Sequence, residues 1–172
     1  MKIDLKPEEY RDPWLAEGVN DAIGFFPREF FCLDNYSAFK IEYEGVVYGT
    51  VEEAYQAAAF KGVADDVAEQ IRQAKSPYDA KHISRANTDK KRPDWDTMKL
   101  VVMEELLREK VKQHPYVREM LIKSKDYPIV EDSPKDTYWG LGPNRDGANN
   151  MGKLWMKLRS EILNGEAVGR CI

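Results

Sequence analysis

The spacing of apolar and polar positions changes period several times along the chain, and each change predicts an element. Phe39-Lys-Ile-Glu-Tyr43 alternates apolar and charged residues, Glu44-Gly45 is a turn signal, and Val46-Val-Tyr48 follows. That pattern predicts a short β-hairpin. Thr50-Val-Glu-Glu-Ala-Tyr-Gln-Ala-Ala-Ala-Phe60 then reads as the opening turns of a buried helix. Thr50 is a good N-cap, and Glu53 completes the capping box that lets a carboxylate reach back to the Thr50 amide. A second helix is predicted over Ala64–Lys75, with Val67 and Ile71 four apart, and a short one over Tyr78–Arg85 after Ser76-Pro77. Asn87–Arg92 is loop. Pro93 suits a first helical position, and Trp95, Met98, Val102 and Leu106 mark a stripe widened by Met103, Leu107 and Val111. This is the longest predicted helix, about five turns and well buried. Pro115 opens another, through Ser124, with Val117, Met120 and Leu121 inward; Ile129-Val130 reads as a short strand. Gly140, Gly142, Pro143 and Gly147 make a long loop, and Met151–Leu163 is the last helix, with Leu154, Leu158 and Ile162 at spacing four. The predicted fold is mainly α, a single compact helical domain over 25–172 with a small β-hairpin near the N-terminus. Residues 1–24, mixed and polar with Pro7 and Pro13, form a lead-in.

Composition narrows the function classes. The 172 residues, 42% hydrophobic and 33% charged, suit one domain with one core. No run of about 18 apolar residues predicts a membrane span, and the first twenty residues lack the apolar stretch of a signal peptide. Two cysteines, Cys32 and Cys171, support neither a disulfide framework nor a Cys-x-x-Cys metal site. The expected compartment is a reducing cytoplasm. His82 and His114 lie far apart in sequence, and no metal or cofactor is expected. The net charge of −4 argues against a protein that grips duplex nucleic acid mainly through phosphates. Lys81, His82, Arg85, Lys90, Lys91 and Arg92 nonetheless form a local basic patch opposed only by Asp89. It reads either as a solvated loop or as a cradle for a phosphate or diphosphate.

Residues suited to chemistry gather at element ends. Glu53 has a sufficient structural task as a cap. Glu52 has none beyond favouring the positive end of the helix dipole, so it is the carboxylate left for chemistry. Asp94-Trp95-Asp96 opens the long helix, Glu131 and Asp132 end a short apolar run, Asp136 and Trp139 enter the glycine loop, and Asn149 closes it. Each has an ordinary structural explanation as well. The aspartates can favour a dipole, the tryptophans can be core, and Asn149 can cap the last helix. Gly140-x-Gly142 is no dinucleotide fingerprint, because the third glycine is missing at the right offset and no helix opens there.

Taken in order, these segments resemble the NADAR superfamily of YbiA-like N-glycosidases. The resemblance is carried by Leu33-Asp-Asn-Tyr36, Thr50-x-Glu52-x-x-Tyr55-Gln56, Ser76-Pro77-x-x-Ala80, Arg92-x-Asp94-Trp95-Asp96, Met103 and Lys110. It continues through Glu131-x-x-x-x-Asp136-x-x-Trp139-Gly140-x-Gly142 and Gly147-x-Asn149-x-x-Gly152-Lys153-x-x-Met156-x-x-Arg159.

The resemblance implies a mainly helical, YbiA-like domain that cleaves N-glycosidic bonds. Two substrate kinds are implied: ribosylaminopyrimidine phosphates of riboflavin biosynthesis, and ADP-ribose attached to guanine in a nucleoside or in DNA. Breaking such a bond builds positive charge on C1′ and the ring oxygen, which a carboxylate stabilises while activating water. Glu52 is the expected catalytic carboxylate and Asp136 the runner-up. Trp95 and Trp139 are expected as stacking walls, Asn35 and Asn149 as partners of ribose hydroxyls or the base edge, and Arg85, Arg92 and Lys81 as phosphate ligands. Tyr36, Tyr55, Asp94 and Gly140, inside the matching segments, complete the expected substrate-binding set. The chain departs from the family pattern at two places. Glu53 stands where the family usually has histidine, and Ala59 where it usually has lysine. Residue 59 is seven positions from Glu52, two turns along one helical face. A lysine there would serve as a phosphate ligand or as an amine nucleophile toward C1′. With Ala59, the alternative function is an ADP-ribose or nucleotide-binding module without turnover.

Overall fold

The computed structural model describes residues 23–24 and 30–165, and its fold is mainly α with only short strands, as the sequence predicts. Its residues fall into two units, one formed by 35–113 and one by the described residues up to Asp34 together with His114 onward.

In the first unit, β2 (Ile41–Tyr43) and β3 (Val46–Tyr48) pair antiparallel in the register Ile41 to Tyr48 and Tyr43 to Val46. Glu44 and Gly45, with φ of 50° and 77°, form the turn. Two left-handed residues in succession match the right-handed strand twist. Helix α1 (Val51–Ala58) is buried along its whole length, with Glu52, Glu53 and Gln56 buried beside its apolar residues. Thr50 is extended, and its hydroxyl accepts the Glu53 amide at 3.2 Å. The Glu53 carboxylate accepts from the Gly49 amide at 2.7 Å rather than from Thr50, so the capping box closes one residue early.

Helix α2 (Asp65–Arg72) ends before the predicted Lys75 because the Ala74 amide turns back to Ile71 and Ser76 is already extended. Helix α3 (Pro77–Ala86) begins at the Ser76 cap, whose hydroxyl accepts the Asp79 amide, with Pro77 at the first position. Helix α4 (Trp95–Gln113) starts two residues after Pro93. Pro93 instead lies in a turn closed by the Trp95 amide on the Arg92 carbonyl. Its buried face includes Val102, Met103, Leu106, Leu107 and Val111. Tyr43 donates to Glu105 at 2.6 Å, and Glu42 exchanges two backbone bonds with the Gln113 side chain, so the hairpin is tied to α4.

In the other unit, β1 (Ile23–Gly24) lies parallel to β4 (Ile129–Val130). The sequence predicts the second strand but not its partner. Helices α5 (Pro115–Lys123) and α6 (Asn150–Leu163) complete this unit. Trp155 is fully buried, and its indole N–H donates to the Leu33 carbonyl at 3.0 Å.

Candidate active site

The first turn of α1 presents Glu52 to a set of donors within the 35–113 unit. The Glu52 amide donates to the Asn35 carbonyl at 3.1 Å, which holds the 35–36 segment against the helix start. Tyr36 is thereby brought to the carboxylate, its hydroxyl 3.3 Å from Glu52 Oε1. Gln56, one turn along α1, donates to the same oxygen at 2.8 Å. Lys81 Nζ lies 3.7 Å from it. Glu52 is only 4% exposed. A buried carboxylate is costly unless donors and a counter-charge surround it, and here a phenol, an amide and an ammonium do so.

Helix α3 lies over this group. Tyr78 and Lys81 are three residues apart and share a face, and Arg85 continues the same stripe four residues on. The Tyr78 ring sits 4.8 Å from the Tyr36 ring, tilted by 53°. Tyr78 remains 69% exposed. Lys81 Nζ stands 5.6 Å from the Tyr36 ring centre, within cation–π range. Arg85 is exposed in the last turn. Lys91 is half-buried. Burial lowers its pKa, the charges of Arg85 and Lys99 lower it further, and Asp96 opposes them. The sequence predicts the basic character of this face but not Tyr78 or Gln56. The four-residue spacing of Glu52 and Gln56 was a usable signal; the Tyr36–Tyr78 pairing depends on tertiary contact and left none.

The remaining predicted residues of this unit are engaged differently. Arg92 binds Asp94 through two bonds, at 2.6 and 2.8 Å, and the guanidinium holds the Asp94 carboxyl below its usual range. Trp95 is buried and packs on the buried Tyr55, ring centres 5.0 Å apart. Asn35 donates its side-chain amide to Met103 Sδ at 3.4 Å, while its buried Oδ1 has no hydrogen-bond partner. Lys61, two residues past Ala59, pairs with Glu44 at 2.5 Å.

Asp136, Trp139, Gly140 and Asn149 belong to the other unit and come together there. Asp136 Oδ1 accepts the amides of Tyr138 and Trp139, at 3.0 and 2.8 Å, and shapes the loop entry. The Trp139 ring meets Tyr138 edge-on at 4.9 Å. Asn149 has a left-handed backbone, φ 50°, and its side chain does not cap α6. It spans β4 instead, accepting the Glu131 amide at 2.9 Å and donating to the Ile129 carbonyl at 3.0 Å. A Cβ at Gly140 would lie 2.5 Å from the Glu131 carbonyl oxygen, and one at Gly147 would lie 2.3 Å from the Gly140 carbonyl oxygen. The glycines are therefore required by close backbone approach.

The class defined here is a mainly helical domain whose first buried helix carries a sequestered carboxylate ringed by donors. Residues 24–163 match the model of the NADAR domain, and the chain belongs to that family. It is 38% identical over 134 residues to an N-glycosidase, Npun_R5314, of Nostoc punctiforme, covering 77% of this chain and 86% of that one. It is 33% identical over 128 residues to the N-glycosidase YbiA of Escherichia coli, covering 74% and 79%. It is also 34% identical over 167 residues to the chloroplastic riboflavin biosynthesis protein PYRR of Zea mays, covering 88% of this chain but 27% of that longer protein. The solved structure of Escherichia coli YbiA is similar at a TM-score of 0.75 with 29% identity, covering 88% of this chain and 90% of that one. N-glycosyl hydrolysis is the activity for which these bacterial relatives are named.

Proposed function

We propose that this chain is an N-glycosyl hydrolase that breaks the bond between C1′ of a phosphorylated ribose and a nitrogenous base. The observation that carries the reading is Glu52, buried beside Tyr36, Gln56 and Lys81 at the start of α1. As the C1′–N bond lengthens, positive charge grows on C1′ and the ring oxygen. A fixed carboxylate opposes that charge more strongly away from water and takes a proton from the attacking water. Tyr36 and Gln56 hold the carboxylate in one orientation. The exposed Tyr78 ring offers a face for the departing base, and Arg85 offers a guanidinium for phosphate oxygens. Asp136, whose oxygen holds two loop amides, is the weaker candidate for the same task. ADP-ribose on guanine, free or in DNA, is the preferred substrate, because the tyrosine, lysine and arginine stripe matches a ligand with both bases and phosphates. The ribosylaminopyrimidine phosphates remain the other substrate, supported by the likeness to the maize riboflavin biosynthesis protein.

The test is chromatographic release of ADP-ribose from an ADP-ribosylated guanine oligonucleotide, run beside release of ribose 5-phosphate from a ribosylaminopyrimidine phosphate. Release from either substrate supports the hydrolase; release from neither overturns it. A second reading, binding of ADP-ribose without turnover, is favoured by the buried methyl of Ala59 where an amine is expected. Tight calorimetric binding with no product supports that reading.

A further inference from the structure

We propose that Lys110 is a positioning residue for the reaction: from α4 it grips the turn at 37–39 and so holds the Tyr36 hydroxyl against Glu52. The inference rests on the hydrolase reading above and adds to it the group that keeps Tyr36 in place. Lys110 is fully buried near the end of α4. Taking an ammonium out of water is costly, and an apolar side chain of the same length would fill the place without that cost. A lysine there calls for a task that only a donor can do. Arg108, also buried on α4, is matched by Glu104 one turn back on the same helix. Lys110 instead reaches a segment 73 residues away in sequence, its Nζ donating to the Ser37 hydroxyl at 2.8 Å. Nζ also stands 5.2 Å from the centre of the Phe39 ring, within cation–π range. Ser37 and Phe39 are themselves joined, the Phe39 amide donating to the Ser37 carbonyl at 2.8 Å. One ammonium thus holds both ends of a three-residue turn.

This turn follows directly on Tyr36. Two turns before Lys110, on the same face of α4, Met103 Sδ accepts the Asn35 side-chain amide at 3.4 Å. The strip 35–39 is therefore fastened to α4 on both sides of Tyr36. Its other edge meets α1. The Asn35 carbonyl accepts the Glu52 amide at 3.1 Å, and the Tyr36 hydroxyl lies 3.3 Å from Glu52 Oε1. Lys110 acts on the carboxylate through this strip and not on the substrate. Loosening the turn lets Tyr36 drift and deprives Glu52 of a donor that fixes one of its oxygens. A displacement on the order of 1 Å costs up to about a hundredfold in rate.

The experiment is a double-mutant cycle of Lys110→Met with Tyr36→Phe, run on whichever of the two substrates above is cleaved. Lys110→Met keeps the buried stem and removes the donor. The expected result is a fall in kcat of about tenfold to a hundredfold for Lys110→Met, with KM little changed. On the Tyr36→Phe background the same substitution should cost almost nothing further, because the contact it serves is already gone. A lysine needed only for the fold would give losses that multiply. Hydrogen exchange supplies a readout free of turnover. The Glu52 amide is in the first turn of α1 and has the Asn35 carbonyl as its acceptor, so its protection reports whether the strip is docked. That amide should lose protection in Lys110→Met while the later amides of α1 keep theirs. Should Lys110→Met fail to fold, Ser37→Ala removes only the acceptor and is put through the same comparisons. Normal kcat, losses that multiply, or unchanged exchange at Glu52 overturns the inference and leaves the hydrolase reading standing. A wild-type chain that cleaves neither substrate overturns both.

Discussion

Glu52 and Glu53 are adjacent residues of the same type, and their surroundings separate them. Glu53 closes a cap on the Gly49 amide, whereas Glu52 collects a phenol, an amide and an ammonium. Their variants are therefore expected to fail in opposite ways. Glu52→Gln keeps an acceptor for Tyr36 and Gln56, so its urea midpoint should stay near wild type, while product release falls by about 10²–10⁴-fold. Glu53→Ala leaves the Gly49 amide without its acceptor and should cost about 1–2 kcal/mol in urea unfolding, with release largely retained. Normal turnover by Glu52→Gln would remove Glu52 from the chemistry. The capping task of Glu53 was legible in advance because a capping box has fixed spacing. That Glu53 would bond Gly49 instead of Thr50 was not, because it depends on how the chain turns out of β3. Tyr78 was equally hidden, since its pairing with Tyr36 joins segments far apart in sequence.

At the scale of elements, caps and periodicity located the six α-helices of the described residues to within a few positions, while Pro93 and the β1–β4 pair escaped. Pro93 fits both a turn and a first helical position, and only the Arg92 carbonyl's engagement by Trp95 decides between them. A two-residue parallel pair has no local pattern to read. The hairpin's attachment to α4 gives a pH prediction. Burial, and then the bond to Glu105, raise Tyr43 well above its ordinary value of 10.0. A raised folded-state pKa stabilises fully below the unfolded value and is lost as pH climbs through and beyond it. Wild type should therefore lose more stability above about pH 10 than Tyr43→Phe does, measured by urea unfolding across alkaline pH. Equal alkaline slopes would mean the phenol is not held as described. Gly152 in α6 gives a second test, one of sign. Helix propensity alone favours Gly152→Ala by about 1 kcal/mol. The added Cβ, however, would stand 2.1 Å from the Ile129 carbonyl oxygen, which is backbone and cannot yield cheaply. Steric overlap should win, with a net loss of roughly 1–3 kcal/mol; a stabilised variant would contradict the close approach of α6 to β4.

For the whole chain, the balance of charge and burial sets what binding must look like. The net charge is −4, yet Lys81 and Arg85 present cations along one stripe of α3, so an anionic ligand must be held locally and not by the overall field. No described helix is long and apolar enough to cross a membrane. Family membership was legible from ordered short motifs because such motifs carry the glycines, caps and carboxylates that the fold cannot exchange freely. Substrate identity was less legible because the side chains proposed to read it, such as Tyr78 and Lys81, meet Tyr36 and Glu52 only after folding. Ligand linkage reads that part directly. A ligand at a hundred times its Kd stabilises the native state by about 2.7 kcal/mol, which for a chain of this length is roughly 5–10 °C in thermal midpoint. ADP-ribose should produce that shift in wild type and in Glu52→Gln alike, since the proposed reading gives residue 52 to the sugar and Arg85 to the phosphates. Arg85→Ala should reduce the shift and raise KM with little change in kcat, the pattern of lost uniform binding. It should also weaken the salt dependence of binding, because an exposed guanidinium is screened by salt. If ADP-ribose moves no midpoint while a ribosylaminopyrimidine phosphate does, the ADP-ribose reading falls and the α3 stripe is reassigned to the smaller phosphate.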